Sequence, residues 1–353
     1  MTVEVMTLRR RPRFGPWLIG LAGLGLFVIL VWTIFWHVAA QQSASSLDAW
    51  IAQEKAFNRN WNCPNRQITG FPFTIEIGCS KPHFDGNIFG RHYSGSLNGF
   101  VATAKFTNPS DVAVKVVSPF AVVSDDKTVD IALAWDQLDI LLGGLPQDVA
   151  KISIAGQGLS LQGHAQEIGV LAGRASRATA TFTRDAGRQD QAIHFHIALN
   201  GASSPAVDAF LGSASPAEIA AEGDITQASF DPAQTLTQTL DQWRAAGGHV
   251  DLADLTVTRG ETKFQARGTV ALDSAHQLQA QLDMECLGFE PVLRRLGVDP
   301  ALITAGSLLA SLFGGGSHGA AAGPQPLHLL VGFDGGLLSI GPVRTSIRLP
   351  PLY

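Results

Sequence analysis

The sequence predicts an α+β, β-rich protein: an N-terminal transmembrane helix followed by a curved, mainly antiparallel β-sheet with helices packed on one face. Three observations carry this expectation. Residues 16–38 (PWLIGLAGLGLFVILVWTIFWHV) contain no Asp, Glu, Lys or Arg, and about 20 apolar residues suffice for a helix to cross the hydrocarbon core of a bilayer. Beyond them, short runs that alternate apolar and polar residues recur at regular spacing, a pattern of antiparallel strands rather than of βαβ crossovers. The 37 glycines among 353 residues supply the turns that such a sheet needs.

The first fourteen residues hold Arg9, Arg10, Arg11 and Arg13 against the single acid Glu4, so the remainder carries 21 basic and 29 acidic groups. Flanking arginines keep this end in the cytoplasm, and Trp17, Trp32 and Trp36 lie where the two headgroup layers of a bilayer would be. The expected organisation is a basic cytoplasmic tail (1–14), a signal anchor (15–40) and a periplasmic β-rich domain (41–353), with possible halves 41–200 and 201–353. The expected location is therefore the inner membrane, in a single pass. Val38, Ala39 and Ala40 also resemble a cleavage site, but the apolar stretch exceeds the roughly 7–15 residues of a signal-peptide core. An acidic body argues against nucleic acid. With 46% hydrophobic and 16% charged residues, the chain is too apolar for disorder and poorly charged for an ordinary soluble enzyme.

Cys63 and Cys79 bracket a short segment (CPNRQITGFPFTIEIGC). Export would expose them to oxidising conditions, so they are expected to form a disulfide. Neither belongs to a C-x-x-C pair, which argues against zinc. Residues 46–58 read as a helix with Leu47, Trp50, Ile51 and Phe57 at helical spacing, continuing the anchor into the domain. The period then changes to two over Phe71, Phe73, Ile75, Ile77 and Cys79, with Pro72 marking an edge or bulge. Further strands are expected at 96–106, 111–117, 121–123, 129–134, 151–154, 159–162, 178–183 and 192–199, and short helices at 135–142 and 206–211.

Residues 232–247 form the next expected helix, closed by Gly247 and Gly248. Three strands follow. Val250 and Leu252 change parity to Leu255 and Val257, which implies a bulge near Ala253 or Asp254. Phe264, Ala266, Val270 and Leu272 then alternate with polar residues, as do Leu278, Ala280, Leu282, Met284 and Cys286. Cys286 should face a core. A helical pair at 290–296 and 300–312, a flexible loop at 314–323 and strands at 327–333 and 337–347 complete the chain.

Several segments carry a resemblance. The N-terminal anchor, the Gly70-Phe71-Pro72-Phe73 turn before a strand ending at a cysteine, the run Gly268-Thr269-Val270-Ala271-Leu272-Asp273, and the closing Asp334-Gly335-Gly336, Gly341-Pro342 and Leu349-Pro350-Pro351-Leu352 together resemble the bacterial envelope family called domain of unknown function 2125. The glycine-then-leucine-aspartate pattern and the closing Gly-Pro also occur in AsmA-like envelope proteins. The resemblance implies a long curved sheet behind an inner-membrane anchor and handling of lipid between membranes, and it implies no catalytic residues. The chain is too short to span a periplasm alone.

No catalytic residue, cofactor or metal is expected. Gly315-Gly316-Ser317-His318-Gly319 matches G-x-S-x-G but lacks a strand before it and a helix after it. His194 and His196 fall two apart on a polar strand face without a nearby acid or cysteine in sequence, and His83 and His92 fall in expected loops without partners. Gly156-Gln157-Gly158 marks a bulge rather than a dinucleotide fingerprint. Asp125, Asp126 and Asp130 fit a turn. The expected function is that of a non-catalytic envelope protein that binds lipid or another hydrophobic ligand on an apolar face including Phe264, Val270, Leu272, Leu278, Leu282 and Met284. The alternative is a scaffold that binds other envelope proteins through sheet edges. If helices cover the same six residues, they are ordinary core.

Overall fold

The computed structural model describes residues 15–88, 91–145, 149–166, 169–229, 234–288, 326–341 and 343–353. The expected span and the expected helix after it are one element, α1 (Gly15–Ala56), 42 residues long. Among the described residues it is the one helix long and apolar enough to cross a membrane. Residues 17–31 are all exposed. From Trp32 onward a stripe at helical spacing (Trp32, Trp36, Ala39, Ala40, Ser43, Leu47, Ile51 and Glu54) is buried or half-buried. This stripe lies along the first edge of the sheet. Trp32 and Trp36 donate their indole N–H groups to the carbonyls of Pro72 and Thr74, both at 2.8 Å. Further along α1, Asp48 pairs with Arg66 and Glu54 with Arg59.

The strands are β1 (Arg59–Asn62), β2 (Gln67–Thr69), β3 (Thr74–Ser80), β4 (His83–Ile88), β5 (Arg91–Lys105), β6 (Asn108–Ser124), β7 (Val129–Ala134), β8 (Gln137–Gly143), β9 (Lys151–Ala165) and β10 (Gly169–Arg184). They continue as β11 (Ile193–Ala202), β12 (Ala217–Ile225), β13 (Val250–Arg259), β14 (Thr262–Leu272), β15 (Leu278–Leu287), β16 (Leu327–Asp334), β17 (Leu337–Ile340) and β18 (Val343–Arg348). Among the described residues two helices interrupt them: α2 (Pro205–Leu211) precedes β12, and α3 (Leu236–Ala245) precedes β13. All eighteen strands belong to one sheet in which every pairing is antiparallel. β3 and β4 lie end to end beside β5, and β7 and β8 lie end to end between β6 and β9. From β9 to β18 the sheet is a plain meander.

Several expectations change here. Residues 135–142, expected as a short helix, lead into β8, where Leu138, Ile140 and Leu142 alternate and pair with β9. The expected strands at 151–154 and 159–162 are one strand, β9, and the closing strand 337–347 is split into β17 and β18. β12 was not expected, because its inward positions include Ala217, Ala221 and Gly223, which are too small to mark a strand by hydrophobicity. The helices at 290–296 and 300–312, the loop at 314–323, Ser317 and the basic tail 1–14 lie outside the described residues. α3 is capped by a Thr235–Gln238 box and bonds to strand ends and the C-terminal segment: Trp243 Nε1 donates to the Thr226 carbonyl at 2.7 Å, and Tyr353 donates to Asp241 at 3.0 Å.

Register gathers one apolar face across thirteen strands of the sheet. In one row, Ile68, Ile77, Ala102, Val114, Ile140 and Ile154 stand opposite one another in sequence of strands. The row continues through Ala180, Ile197, Ala221, Leu255, Ala266, Met284 and Leu329. The opposite face is polar, as in the row Thr181, His196, Glu222 and Asp254. An antiparallel sheet tolerates this asymmetry because one face can meet water. Ile140, Ile154, Ile197 and Leu255 are only half-buried. The best-packed region lies at the far end of the sheet, where Cys286, Leu329 and Ile340 are buried among Phe264, Met284 and Val331.

A crease crosses the longer strands. In β9 the inward positions are Ile152, Ile154 and Gly156, then Leu159 and Leu161. In β10 they are Phe182, Ala180 and Ala178, then Ala175 and Gly173. Both strands change parity together, at Gly158 and Ser176, so the pair stays in register and neither strand carries the bulge expected at Gly158. Gly158 has φ +61°, and a methyl there would overlap the Asp136 side chain. Along the same line, Asn98 Nδ2 donates to the Ser118 carbonyl (2.6 Å), Trp135 Nε1 to the Val116 carbonyl (2.9 Å), and Ser176 Oγ to the Asn200 carbonyl (2.8 Å). These side chains bond backbone groups along the crease. A separate bulge between Leu252 and Leu255 matches the expected parity change, with Gly268 and Ala266 opposite.

Cys63 and Cys79 form a disulfide, tying the β1–β2 connection to β3. Replacing both by Ser is expected to lower stability by about 3 kcal/mol, the loop-closure contribution of a ring of this size. Thermal melting of the full chain and the double variant checks this, and an unchanged midpoint would contradict it. Cys286 is 1% exposed. Burial and the neighbouring Glu285 push its thiol up to about 11, so it behaves as an inert core residue.

Candidate apolar binding site

Seven strands contribute to one cavity on the apolar face, with a volume of ≈ 560 Å³. Its wall includes Leu133 of β7, Leu159 and Leu161 of β9, Leu199 of β11, Ile219 of β12, Val257 of β13 and Phe264 of β14. Leu133 and Leu161 are direct cross-strand partners, and so are Leu199 with Ile219, Ile219 with Val257, and Val257 with Phe264. The side wall is α2, which presents Val207 and Leu211. Pro205 opens α2 and Gly212, in the left-handed conformation, closes it.

One charged residue of β13 enters this apolar surround. Arg259 continues the inward series Leu255, Val257, Arg259, and its side chain is only 7% exposed. Nη2 donates to Asp208 of α2 and to the Ser213 carbonyl at 2.6 Å. Nε is buried without an acceptor among the described residues. Arg174 of β10 bounds the cavity with its backbone, which exchanges hydrogen bonds with Ser203; lying between inward Gly173 and Ala175, its exposed side chain stands on the opposite face.

Of the six residues expected on the binding face, Phe264 lines this cavity. Met284 packs against the Cys286 cluster, and Leu272 pairs with Leu278 at the opposite end of β14. Val270 lies beside that pair, opposite Ala280. Leu282 borders a second depression with Gly268 and Val331. All six share one face, but the structure brings Phe264 together with residues of β7 to β13 that sequence reasoning did not single out. A signal for Arg259 was present: an arginine at inward parity after two apolar positions.

The histidines fall elsewhere. His194 and His196 lie on the polar face as expected, on either side of buried Phe195. The acids that sequence spacing did not supply come from β12: Asp224 is 3.0 Å and Glu222 3.5 Å from His194. Among the described residues, no three His, Cys, Asp or Glu side chains are grouped to hold a metal ion. His83 and His92, expected in loops, are strand residues. His92 sits 3.0 Å from Asp125 Oδ2 and 3.1 Å from Asp85 Oδ1. In the turn after β6, Asp126 accepts from Ser124 Oγ and from both the amide and the hydroxyl of Thr128, which holds its carboxyl at about 2.

The hydrogen bond to Asp125 foremost, with the charges of both carboxylates, raises the pKa of His92 above its ordinary value of 6.5. Since the folded value exceeds the unfolded one, this stabilisation is fully present below the unfolded pKa and is lost as pH rises through the folded pKa. His92→Gln is expected to flatten the melting profile in that window. Identical profiles for the variant and the parent chain would contradict the pairing.

Fold and site together define a β-rich protein: one antiparallel sheet with an apolar face, edged by a long apolar helix, with a cavity on that face beside a short helix. The chain belongs to a bacterial family described as an uncharacterized protein conserved in bacteria (DUF2125), whose model matches residues 36–347. No curated protein and no solved structure matches the chain.

Proposed function

We propose that the protein is a non-catalytic, periplasmic lipid-binding protein held at the inner membrane by α1, acting in envelope maintenance. The observation that carries this reading is the apolar face that runs unbroken through the register of thirteen strands and opens into a cavity of ≈ 560 Å³. Apolar pockets of roughly 300–1,000 Å³ with a few polar groups are typical ligand sites. Leu133 and Phe264 stand six strand spacings apart, roughly 29 Å in a flat sheet, yet they line the same cavity. That juxtaposition, with the crease, supports a curved sheet. The disulfide supports an oxidising compartment, and the exposed apolar stretch of α1 behind four arginines supports a cytoplasmic N-terminus. The likeness to AsmA-like proteins in the short glycine motifs supports lipid as the ligand.

Photolysis of the full chain in vesicles containing a neutral long-chain alcohol with a mid-chain diazirine tests the reading. Labelling of peptides bearing Leu159, Leu199 or Phe264 is the expected result. Labelling confined to residues 17–38 would overturn it.

A second reading, a scaffold that recruits envelope proteins, is favoured by β18. Among the described residues it pairs only with β17, and it leaves an unpaired strand edge of the kind other chains add to.

A further inference from the structure

We propose that the two turns beside α1, residues 70–73 and 105–108, sit in the headgroup layer of the bilayer that α1 crosses, so that the domain touches the membrane through its sheet as well as through its span. This rests on the reading of α1 as a membrane anchor and adds a second contact to it. Length comes first. At about 1.5 Å per residue, α1 rises only about 26 Å from Gly15 to Trp32, whereas the hydrocarbon core is about 30 Å thick. Tilt widens the shortfall. About one more helical turn, Trp32 to Phe35, is needed to complete the crossing, and that turn is already packed against the sheet.

Phe106, between β5 and β6, lies 5.5 Å from the rings of both Trp32 and Phe35. Trp36 meets Phe71 edge-on, and the indoles of Trp32 and Trp36 bond the Pro72 and Thr74 carbonyls. β2 runs back along α1 toward this level, since Arg66 pairs with Asp48 and Pro72 with Trp32. Residues 70–73 are therefore the end of that hairpin nearest the span. The Gly70 carbonyl accepts from both the amide and the hydroxyl of Thr74, which closes the first turn. The Phe106 amide donates to the Phe73 carbonyl at 3.2 Å, which joins it to the second. Turns bound in this way stay at the depth of Trp32 and Trp36.

Their surface suits that depth. Phe73 is 71% exposed and Phe71 51%, and Phe35 and Val38 of α1 are exposed beside them. Apolar surface continuous with a span marks a contact surface rather than a solvated loop, and aromatic rings favour the headgroup level. Residues 70–74 and 105–110 (GFPFT and KFTNPS) contain no acid, and Lys105 is exposed. Its ammonium can reach lipid phosphates while its stem follows the apolar turn.

The test places one environment-sensitive fluorophore on the full chain in nanodiscs of phosphatidylcholine and phosphatidylglycerol that carry nitroxide lipids. Cys63 and Cys79 are paired and Cys286 is buried, so an added cysteine takes the label. Phe73→Cys and Thr107→Cys probe the two turns, and both replace exposed residues. Leu24→Cys reports on the span, and Leu330→Cys on an exposed position of β16. The expected result is loss of fluorescence at both turn positions to a nitroxide in the headgroup layer, at Leu24 to a nitroxide near the chain ends, and at Leu330 to neither. Quenching at Leu24 with both turn positions as bright as Leu330 would overturn the contact and leave α1 as a plain tether. Quenching of Leu330 as strong as that of Phe73 would overturn it too, because the sheet would then lie flat on the bilayer. No quenching at Leu24 would overturn the anchoring reading itself.

Discussion

Trp36→Ala is expected to loosen α1 from the sheet and to destabilise the protein by about 3–5 kcal/mol, the range for truncating a buried Trp. The residue is 7% exposed. Its ring meets Phe71 edge-on at 5.7 Å, and its N–H satisfies the Thr74 carbonyl at the start of β3. Loss of the ring leaves a void between helix and sheet and an edge carbonyl without its donor. Trp36→Phe separates the two effects, because it keeps most of the packing and removes only a hydrogen bond worth about 0.5–1.5 kcal/mol. Hydrogen exchange of β1 to β3, followed with thermal melting, reads both variants. If Trp36→Ala protects these strands as well as the parent does, α1 merely lies beside the sheet.

Trp135→Ala should cost a similar amount, about 3–5 kcal/mol, at a different place. Trp135 is also 7% exposed and occupies the crease between β7 and β8. Its backbone amide donates to Ser118 Oγ at 3.0 Å and its indole to the Val116 carbonyl at 2.9 Å, so one residue holds the point where β6, β7 and β8 meet. Without it, exchange is expected to rise in β6 to β9 and to stay near the parent level in β13 to β18. A uniform loss of protection would instead show that the sheet unfolds as one unit.

Legibility in the sequence followed the phase of the alternation. The series Leu278 to Cys286 and the parity change after Leu252 were readable because each strand there keeps one phase or shifts once beside a partner with steady parity. β9 and β10 reverse phase in mid-strand, at Gly158 and Ser176, so each fifteen- or sixteen-residue strand resembles two short ones or none. β12 was missed for another reason: small residues at its inward positions carry no hydrophobic signal. The same gap hid most of the cavity, whose wall needs Leu133, Leu199 and Ile219 from strands far apart in sequence. Register alone joins them. His92 was misplaced because Gly and Asn around it favour loops, whereas its two carboxylate partners come from β4 and from the turn after β6.

The two ends of the sheet are not equivalent. α1 lies along β1, and its indoles occupy the carbonyls of Pro72 and Thr74 at the start of β3. At the other end, β18 has a partner on one side among the described residues. Strand pairing is therefore open at β18. Two copies joined through β18 about a twofold axis would use up the free β18 edge of each. A third copy would find no free β18 edge, so pairing through this strand stops at two.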